Sequence, residues 1–154
     1  MTTLLDVQDF LALRRLAVVG VSRNPKDFTR SLLRELLARG YDAVPVNPGI
    51  SEMEGVPCFA RLSDVTPPVE GALLVTSPQV TDAVVRECAD AGIRRVWMYR
   101  AGGRGAVSPA ATSYCNATGI RVVEGECPFM FLPQAGVIHR VHGWCRKVTG
   151  AYPR

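Results

Sequence analysis

The sequence predicts an α/β fold in which one mostly parallel sheet of five strands is covered by helices on both faces, the doubly wound arrangement. Two observations carry this prediction. Three times along the chain, a stretch with helical spacing of apolar residues ends at a glycine and leads directly into an apolar strand. These strands are apolar along nearly their whole length, as is typical of parallel strands buried on both faces. The chain has 154 residues, and we expect residues 1–154 to form a single domain.

The first unit contains the helix with the clearest apolar face. A strand is predicted at residues 16–21, ahead of a helix at residues 27–39. Gly40 ends this helix, and the next strand is predicted at residues 41–46. The residues expected on the buried face of the helix are Phe28, Leu32, Leu33, Leu36 and Leu37.

The second unit repeats this pattern. A strand at residues 71–76 precedes a helix predicted at residues 78–91. Gly92 ends the helix, and a strand follows at residues 94–98. The residues expected on the buried face of this helix are Val80, Ala83, Val84, Cys88 and Ala91.

The third unit is shorter, with a helix at residues 109–118, Gly119 and a strand at residues 120–123. This helix and the preceding one both begin with serine and proline, which predicts an N-cap at Ser77 and at Ser108 and a proline at the first helical position. Five strands joined by right-handed crossovers predict a Rossmann-like order.

Three further segments lie outside these units. Residues 1–15 are predicted to contain a short helix, and residues 56–59 a short strand. After the last strand, a basic helix is predicted at about residues 134–148.

The loop after the first strand has the composition of an anion site. In a doubly wound sheet, ligands bind at the carboxyl ends of the strands, near the point where strand order reverses. Here that position holds Gly20-Val21-Ser22-Arg23-Asn24-Pro25-Lys26, directly before a helix. A glycine lets the backbone approach a ligand closely, and a helix N-terminus with Ser22, Arg23, Lys26 and Arg30 nearby suits a phosphate or pyrophosphate. A tight turn with solvated cations is the alternative interpretation.

Two common nucleotide motifs are missing. The dinucleotide pattern GxGxxG is absent, and no acid follows the second strand, where Pro45-Val46-Asn47-Pro48 stands. Both observations count against NAD. The absence of GxxxxGK[ST] excludes a P-loop.

The run LAVVGVSRNPKDFTRSLLRELLARGYDAVPVNP, residues 16–48, resembles the opening of the CoA-binding domain family. That family is similar to the N-terminal domain of the succinyl-CoA synthetase alpha subunit. The motifs that carry the resemblance are VGVSRNP and GYDAVPVNP, and it extends through VWMY and ECPFMFL over residues 10–132.

The resemblance implies a stand-alone Rossmann-like protein that binds coenzyme A. It implies that the loop after the first strand contacts the CoA phosphates, that the turn after the second strand flanks the adenosine end, and that two residues after the next strand line the same cleft. The residues of the loop that contacts the phosphates are Gly20, Val21, Ser22, Arg23 and Lys26. Those of the turn at the adenosine end are Val46, Asn47 and Pro48, and the two residues after the next strand are Thr76 and Ser77.

Two departures from the family pattern fall at the expected pantetheine end of the site. Tyr99 stands where many relatives have glutamine, and the run EGECP at residues 124–128 replaces the more usual aspartate-arginine-cysteine. The loop at residues 102–105 is interpreted as a flexible connection, with a phosphate cradle or an acyl clamp as the alternative.

Neither a catalytic residue nor a metal site is assigned. Cys127, His139, His142 and Cys145 have zinc-binding chemistry, but the spacing of the last three spreads them around a helix. We interpret the two histidines as polar residues of an amphipathic helix and Cys127 as a buried structural cysteine rather than a reactive thiol. The five cysteines form no CxxC pair, which predicts reduced, mostly buried thiols.

The net charge of +4 is concentrated near the C-terminal end. Four of the 18 basic residues and none of the 14 acidic residues lie after residue 126. The basic helix is interpreted as a solvated face, with docking to a partner as the alternative. Because residues 1–126 are balanced in charge and no recognition motif is present, we do not expect nucleic acid binding.

No apolar stretch reaches the roughly 18 residues that a membrane helix needs. Residues 1–13 contain two aspartates and no basic cluster, unlike a signal peptide. We therefore expect a cytoplasmic protein without a membrane partner.

Three hypotheses for the function follow. The first is a non-catalytic protein that binds CoA or an acyl-CoA. The second is an NADP-dependent oxidoreductase in which Arg23 takes the 2′-phosphate. The third is a regulatory or assembly protein that docks on a protein partner, or on a second copy as a homodimer, through its basic C-terminal helix.

Overall fold

The computed structural model describes residues 2–100 and 105–132. Five parallel strands form one sheet: β1 (Arg15–Val19), β2 (Asp42–Val46), β5 (Gly71–Leu74), β6 (Arg95–Met98) and β7 (Arg121–Glu124). Their order across the sheet is β2-β1-β5-β6-β7. A separate antiparallel hairpin consists of β3 (Glu52–Met53) and β4 (Val56–Pro57). The helices are α1 (Leu4–Leu11), α2 (Phe28–Ala38), α3 (Pro78–Asp90) and α4 (Pro109–Thr118), with 3₁₀ turns at Leu62–Asp64 and Pro128–Met130.

Every pairing within the five-stranded sheet is parallel, so the predicted fold class is confirmed. Helices α1 and α2 pack on one face of the sheet, and α3 and α4 pack on the other. The short strand predicted at residues 56–59 is only partly correct. Its first two residues belong to the hairpin, while Phe59 forms a single parallel bridge with Val46 at the edge of the main sheet.

The predicted buried face of α3 is wrong at three positions. Val80, Ala83 and Ala91 are exposed. Thr81 and Val85 are buried instead, beside the correctly predicted Val84 and Cys88. Thr81 is buried without cost to its hydroxyl, because this group lies 2.7 Å from the Thr76 hydroxyl and 3.1 Å from the Ser77 carbonyl oxygen.

The strand order reverses between β1 and β5. The chain runs from β1 to its neighbour β2 on one side, and returns to β5 on the other side of β1. The crevice of a doubly wound sheet therefore opens at the carboxyl ends of β1 and β5. Residues 20–27, which we call the β1–α2 loop, follow β1 at this edge of the sheet, and residues 75–77 follow β5.

Within the described residues, no helix combines the length and the apolar character needed to cross a membrane.

Candidate functional site

Gly20 is the point where three chain segments meet at the carboxyl edge of the sheet. Its amide donates a hydrogen bond to the Val46 carbonyl at 3.0 Å. Its φ of +93° is a conformation that favours glycine. A Cβ at this position would lie 2.8 Å from Thr76 Cγ2 and 3.1 Å from the Val75 carbonyl oxygen. A side chain at residue 20 would therefore force Thr76 or the Val75 backbone to move.

Asn47 ties the β1–α2 loop to the end of β2. Its side-chain nitrogen donates to the Val21 carbonyl at 2.7 Å, and its backbone amide donates to the Phe59 carbonyl at 2.9 Å. The exposed Pro48 and Gly49 follow. A Cβ on Gly49 would lie 3.5 Å from Arg23 Nη1, so the Arg23 guanidinium lies beside this turn.

The β1–α2 loop is held by short-range hydrogen bonds. The Ser22 amide donates to the Thr29 hydroxyl at 2.8 Å, and the Ser22 hydroxyl accepts from the Asn24 amide at 3.1 Å. The Asn24 side chain in turn accepts from the Lys26 amide at 3.0 Å. This network orders the loop while the side chains of Arg23 and Lys26 remain exposed.

Two expectations about this loop need correction. The N-terminus of α2 is capped by the Asp27 carboxylate, which accepts the Thr29 amide at 2.8 Å and therefore places a negative charge where an anion was expected. Arg30 is not a free cation, because it is 8% exposed and its guanidinium binds Glu54. The positive charge available to a ligand thus comes from Arg23 and Lys26.

Asp27 provides a test of the cap through its pH dependence. The hydrogen bonds from the Thr29 hydroxyl and amide hold the pKa of the Asp27 carboxyl below its ordinary value. Its contribution to stability is therefore present above the unfolded pKa of about 3.9 and is lost as the pH falls through the folded pKa. We expect Asp27→Ala to lower the free energy of unfolding by about 1 kcal/mol at pH 6 and by less at pH 3. Urea denaturation measures both values, and a difference independent of pH would contradict the assignment.

Thr76 and Ser77 follow β5, and Thr76 Cγ2 would lie 2.8 Å from a Cβ on Gly20. Their place in a ligand-binding cleft stays a prediction. Ser77 occupies the N-cap position of α3, but its side chain makes no capping hydrogen bond in the described structure. The exposed Ser77 hydroxyl therefore stays available at the crevice. Ser108 does cap α4, accepting from the Ala111 amide at 3.3 Å and donating to Asp82.

An aromatic cluster at the ends of β6 and β7 was not anticipated from the sequence. Phe28 is 42% exposed and stacks on Tyr99 at 5.4 Å between ring centroids, while its edge meets Phe129 at 6.0 Å. Burial, with the neighbouring Cys127 thiol, raises the pKa of Tyr99 well above its ordinary value. Burial also raises the pKa of Cys127, so both groups stay protonated at neutral pH. Tyr99 and Cys127 fall within the two departures from the family pattern, which were the only sequence signals for this region.

The remaining described cysteines have the chemistry of core residues. Cys58, Cys88 and Cys115 are buried free thiols, as expected. Burial raises the pKa of Cys88 to about 12 and that of Cys115 to about 11, which makes both thiols unreactive at neutral pH.

Several predicted features lie outside the described residues. These are the loop residues 101–104, the basic helix at 134–148, and the side chains of His139, His142 and Cys145. Within the ranges 2–100 and 105–132, no three side chains of the metal-binding types gather in one place.

Comparison with protein families shows to which family the chain belongs. The model of a family described as "CoA binding domain" matches residues 14–133, well over half of the chain. The chain belongs to this family. The β1–α2 loop, the turn after β2 and residues 75–77 of this CoA binding domain all lie inside the matched region.

Two other proteins match parts of this CoA binding domain in sequence. The uncharacterised protein YneT of Bacillus subtilis is 33% identical over 57 residues, which are 37% of this chain and 42% of YneT. Acetate–CoA ligase [ADP-forming] II of Archaeoglobus fulgidus is 26% identical over 94 residues, which are 60% of this chain and 14% of the ligase. The chain thus spans less than half the length of either relative.

Solved structures share the architecture. A hypothetical protein from Pyrococcus horikoshii superposes with a TM-score of 0.73 and 26% identity, over 80% of this chain and 84% of that one. An acetyl-coenzyme A synthetase of Ca. Korarchaeum cryptofilum, in complex with phosphate and ADP, superposes with a TM-score of 0.61 and 26% identity, over 72% of this chain and 25% of that one. The fold of this CoA binding domain therefore occurs both in small proteins and inside larger synthetases.

Proposed function

We propose that this protein binds CoA or an acyl-CoA in the crevice between the carboxyl ends of β1 and β5, and that it does so without catalysing a reaction itself. The observation that carries the proposal is the meeting of three segments at Gly20, in a chain whose family is that of CoA binding domains. The approach of the backbone there, beside two exposed cations, suits a ligand with several phosphate charges.

The proposed contacts follow the order of the ligand along the sheet edge. The segment Gly20–Arg23, with Lys26, binds the phosphates, and the turn Val46-Asn47-Pro48 flanks the adenosine end. Thr76 and Ser77 line the opposite wall. Asn47 acts by shaping this turn, since its side-chain nitrogen and its backbone amide already donate to the Val21 and Phe59 carbonyls.

The aromatic cluster of Phe28, Tyr99 and Phe129 lies toward the ends of β6 and β7, beyond the phosphate contacts. We place the pantetheine arm on this side, because an apolar surface complements the least charged part of the ligand. Cys127 then lies near the thiol or thioester end as a protonated, half-buried thiol.

The non-catalytic role rests on the chemistry of the crevice. The ionisable side chains of the β1–α2 loop are Arg23, Lys26 and Asp27, and the Asp27 carboxylate is occupied by its bonds to Thr29. None of these is arranged as a nucleophile beside a base. Docking through the basic C-terminal helix and a cytoplasmic location remain predictions.

NADP is the competing ligand, and one contact favours it. Arg23 lies beside Gly49 after β2, where a dinucleotide fold places the group that binds the adenosine ribose. An arginine there would bind a 2′-phosphate by donating hydrogen bonds to it. Quenched or shifted NADPH fluorescence on mixing, together with redox turnover, would favour this function over CoA binding.

The phosphate contacts are tested by the double substitution Ser22→Ala with Lys26→Ala. We expect the dissociation constant for CoA to rise about tenfold and to depend less on ionic strength, because one hydroxyl donor and one cation are lost. Calorimetric titration measures both effects. Arg94→Ala is the matched control, since this exposed cation precedes β6 and therefore lies at the amino ends of the strands, away from the proposed site. Equal affinities for CoA in the wild type and the double variant would reject the assignment.

A further inference from the structure

Two arginines on successive turns of α2 contact backbone carbonyl groups of the β1–α2 loop. Arg30 Nη1 lies 3.2 Å from the Arg23 carbonyl oxygen and 3.5 Å from that of Ser22. Arg34 donates to the Pro25 carbonyl oxygen at 3.4 Å through both of its terminal nitrogens. Three carbonyl groups of the loop thus point toward the helix.

Both arginines are tied to a single carboxylate from the β3–β4 hairpin. Arg30 contacts Glu54 Oε1 through Nε at 2.7 Å and through Nη2 at 2.6 Å. Arg34 Nη1 contacts the same oxygen at 3.0 Å. Glu54 sits at the tip of the hairpin with a φ of +53°, an uncommon conformation for a residue other than glycine. Its carboxylate is mostly buried, and so is the Arg30 side chain.

These contacts have a consequence for the opposite face of the loop. The C=O and N–H groups of one trans peptide unit point in opposite directions. When the arginines draw the carbonyls of Ser22, Arg23 and Pro25 toward α2, the peptide N–H groups that follow them turn away from α2. Two of these N–H groups are already engaged within the loop, that of Asn24 by the Ser22 hydroxyl and that of Lys26 by the Asn24 side chain. The effect of the arginines is therefore to keep carbonyl acceptors away from the face of the loop that would meet a phosphate.

We propose that Glu54, acting through Arg30 and Arg34, is a positioning residue that sets the orientation of the anion-binding β1–α2 loop. This inference rests on the proposed function for its effect on CoA affinity. It differs from a direct role for Arg30, which is buried beneath the loop and engaged by Glu54 and the loop carbonyls. Glu54 thereby contributes to binding, although its hairpin lies outside the main sheet.

The substitution Glu54→Gln separates positioning from simple electrostatics. It removes a negative charge close to the proposed phosphate site, so Coulomb attraction alone predicts tighter binding of CoA. Loss of the charge-assisted bonds to both arginines releases the loop, so the positioning role predicts binding about tenfold weaker. Glu52→Gln is the matched control, because Glu52 is exposed on the same hairpin and loses the same charge. We expect the control to bind CoA as tightly as the wild type, or slightly more tightly.

Hydrogen–deuterium exchange of residues 21–27 in the ligand-free protein gives a second readout that does not depend on CoA. We expect faster exchange in Glu54→Gln than in Glu52→Gln, with the amides of β1 unchanged in both. If the wild type fails to bind CoA, the proposed function fails, and this exchange comparison alone decides whether Glu54 orders the loop.

Two further variants complete the test. Arg30→Lys keeps the charge but has one ammonium group in place of the planar fork, so we expect it to bind CoA as weakly as Glu54→Gln. If Glu54→Gln does not fold, Arg34→Gln loosens the same contacts from a more exposed side chain and is expected to give a smaller loss of affinity together with faster exchange. Unchanged exchange in Glu54→Gln, with affinity for CoA equal to or above that of Glu52→Gln, would overturn the proposal.

Discussion

Replacing Gly20 with alanine is expected to weaken CoA binding by about a hundredfold or more, since the proposed site contains the Gly20 backbone and a new Cβ would displace its neighbours. The new Cβ would lie 2.8 Å from Thr76 Cγ2 and 3.1 Å from the Val75 carbonyl oxygen, so one wall of the crevice must move. The positive φ of residue 20 strains an alanine in the folded state and lowers the free energy of unfolding by about 1–2 kcal/mol. Calorimetric titration and urea denaturation measure the two effects separately.

Gly92→Ala is the matched control for this substitution. Gly92 also has a positive φ, of +75°, but a Cβ there would meet no atom within 4 Å. We expect a similar loss of stability in this variant with unchanged affinity for CoA. If both variants bind CoA like the wild type, the crevice at Gly20 is not the binding site.

Replacing Trp97 with alanine is expected to lower the free energy of unfolding by about 3–5 kcal/mol, a large part of the stability of a domain this size. Trp97 is fully buried in β6 and meets the ring of Phe10 from α1 at 5.3 Å in an edge-to-face contact. Its indole N–H donates to the Glu126 carbonyl at 2.9 Å. One side chain thus joins the sheet to α1 and to the loop after β7.

Trp97→Phe tests which of these contacts matters. It keeps an aromatic ring in the core but leaves the Glu126 carbonyl without this donor. We expect a loss of stability smaller than that of Trp97→Ala, about 1–3 kcal/mol, from the lost hydrogen bond and the smaller ring. Urea denaturation followed by circular dichroism measures both variants. A loss below about 1 kcal/mol for Trp97→Ala would show that the core does not depend on this residue.

The elements of the fold could be predicted because they depend on local patterns. The leucines of α2 repeat at helical spacing and end at Gly40, and the structure places the helix at Phe28–Ala38. The face of α3 could not be derived in the same way. Burial of Thr81 depends on the hydroxyl of Thr76 in the preceding loop, and apolar spacing carries no information about such a pair.

The sequence could place the candidate site in the fold, but it could not give the side-chain contacts within the site. Gly20 follows an apolar strand and precedes a helix, which is enough to place it at the carboxyl edge of a parallel sheet. Arg30 shows the limit, because its charge and position suggest a phosphate contact while its partner, Glu54, lies 24 residues further along. Only the folded hairpin brings the two together. The contact of Phe28 with Tyr99 is hidden for the same reason.

Calorimetric titration of the purified protein with CoA, followed by NADPH under the same conditions, tests the central claim most directly. We predict binding of one CoA per chain with a dissociation constant in the micromolar range or tighter, and no comparable heat with NADPH. Absence of CoA binding, above all if NADPH binds in its place, would contradict the assignment of the crevice to CoA.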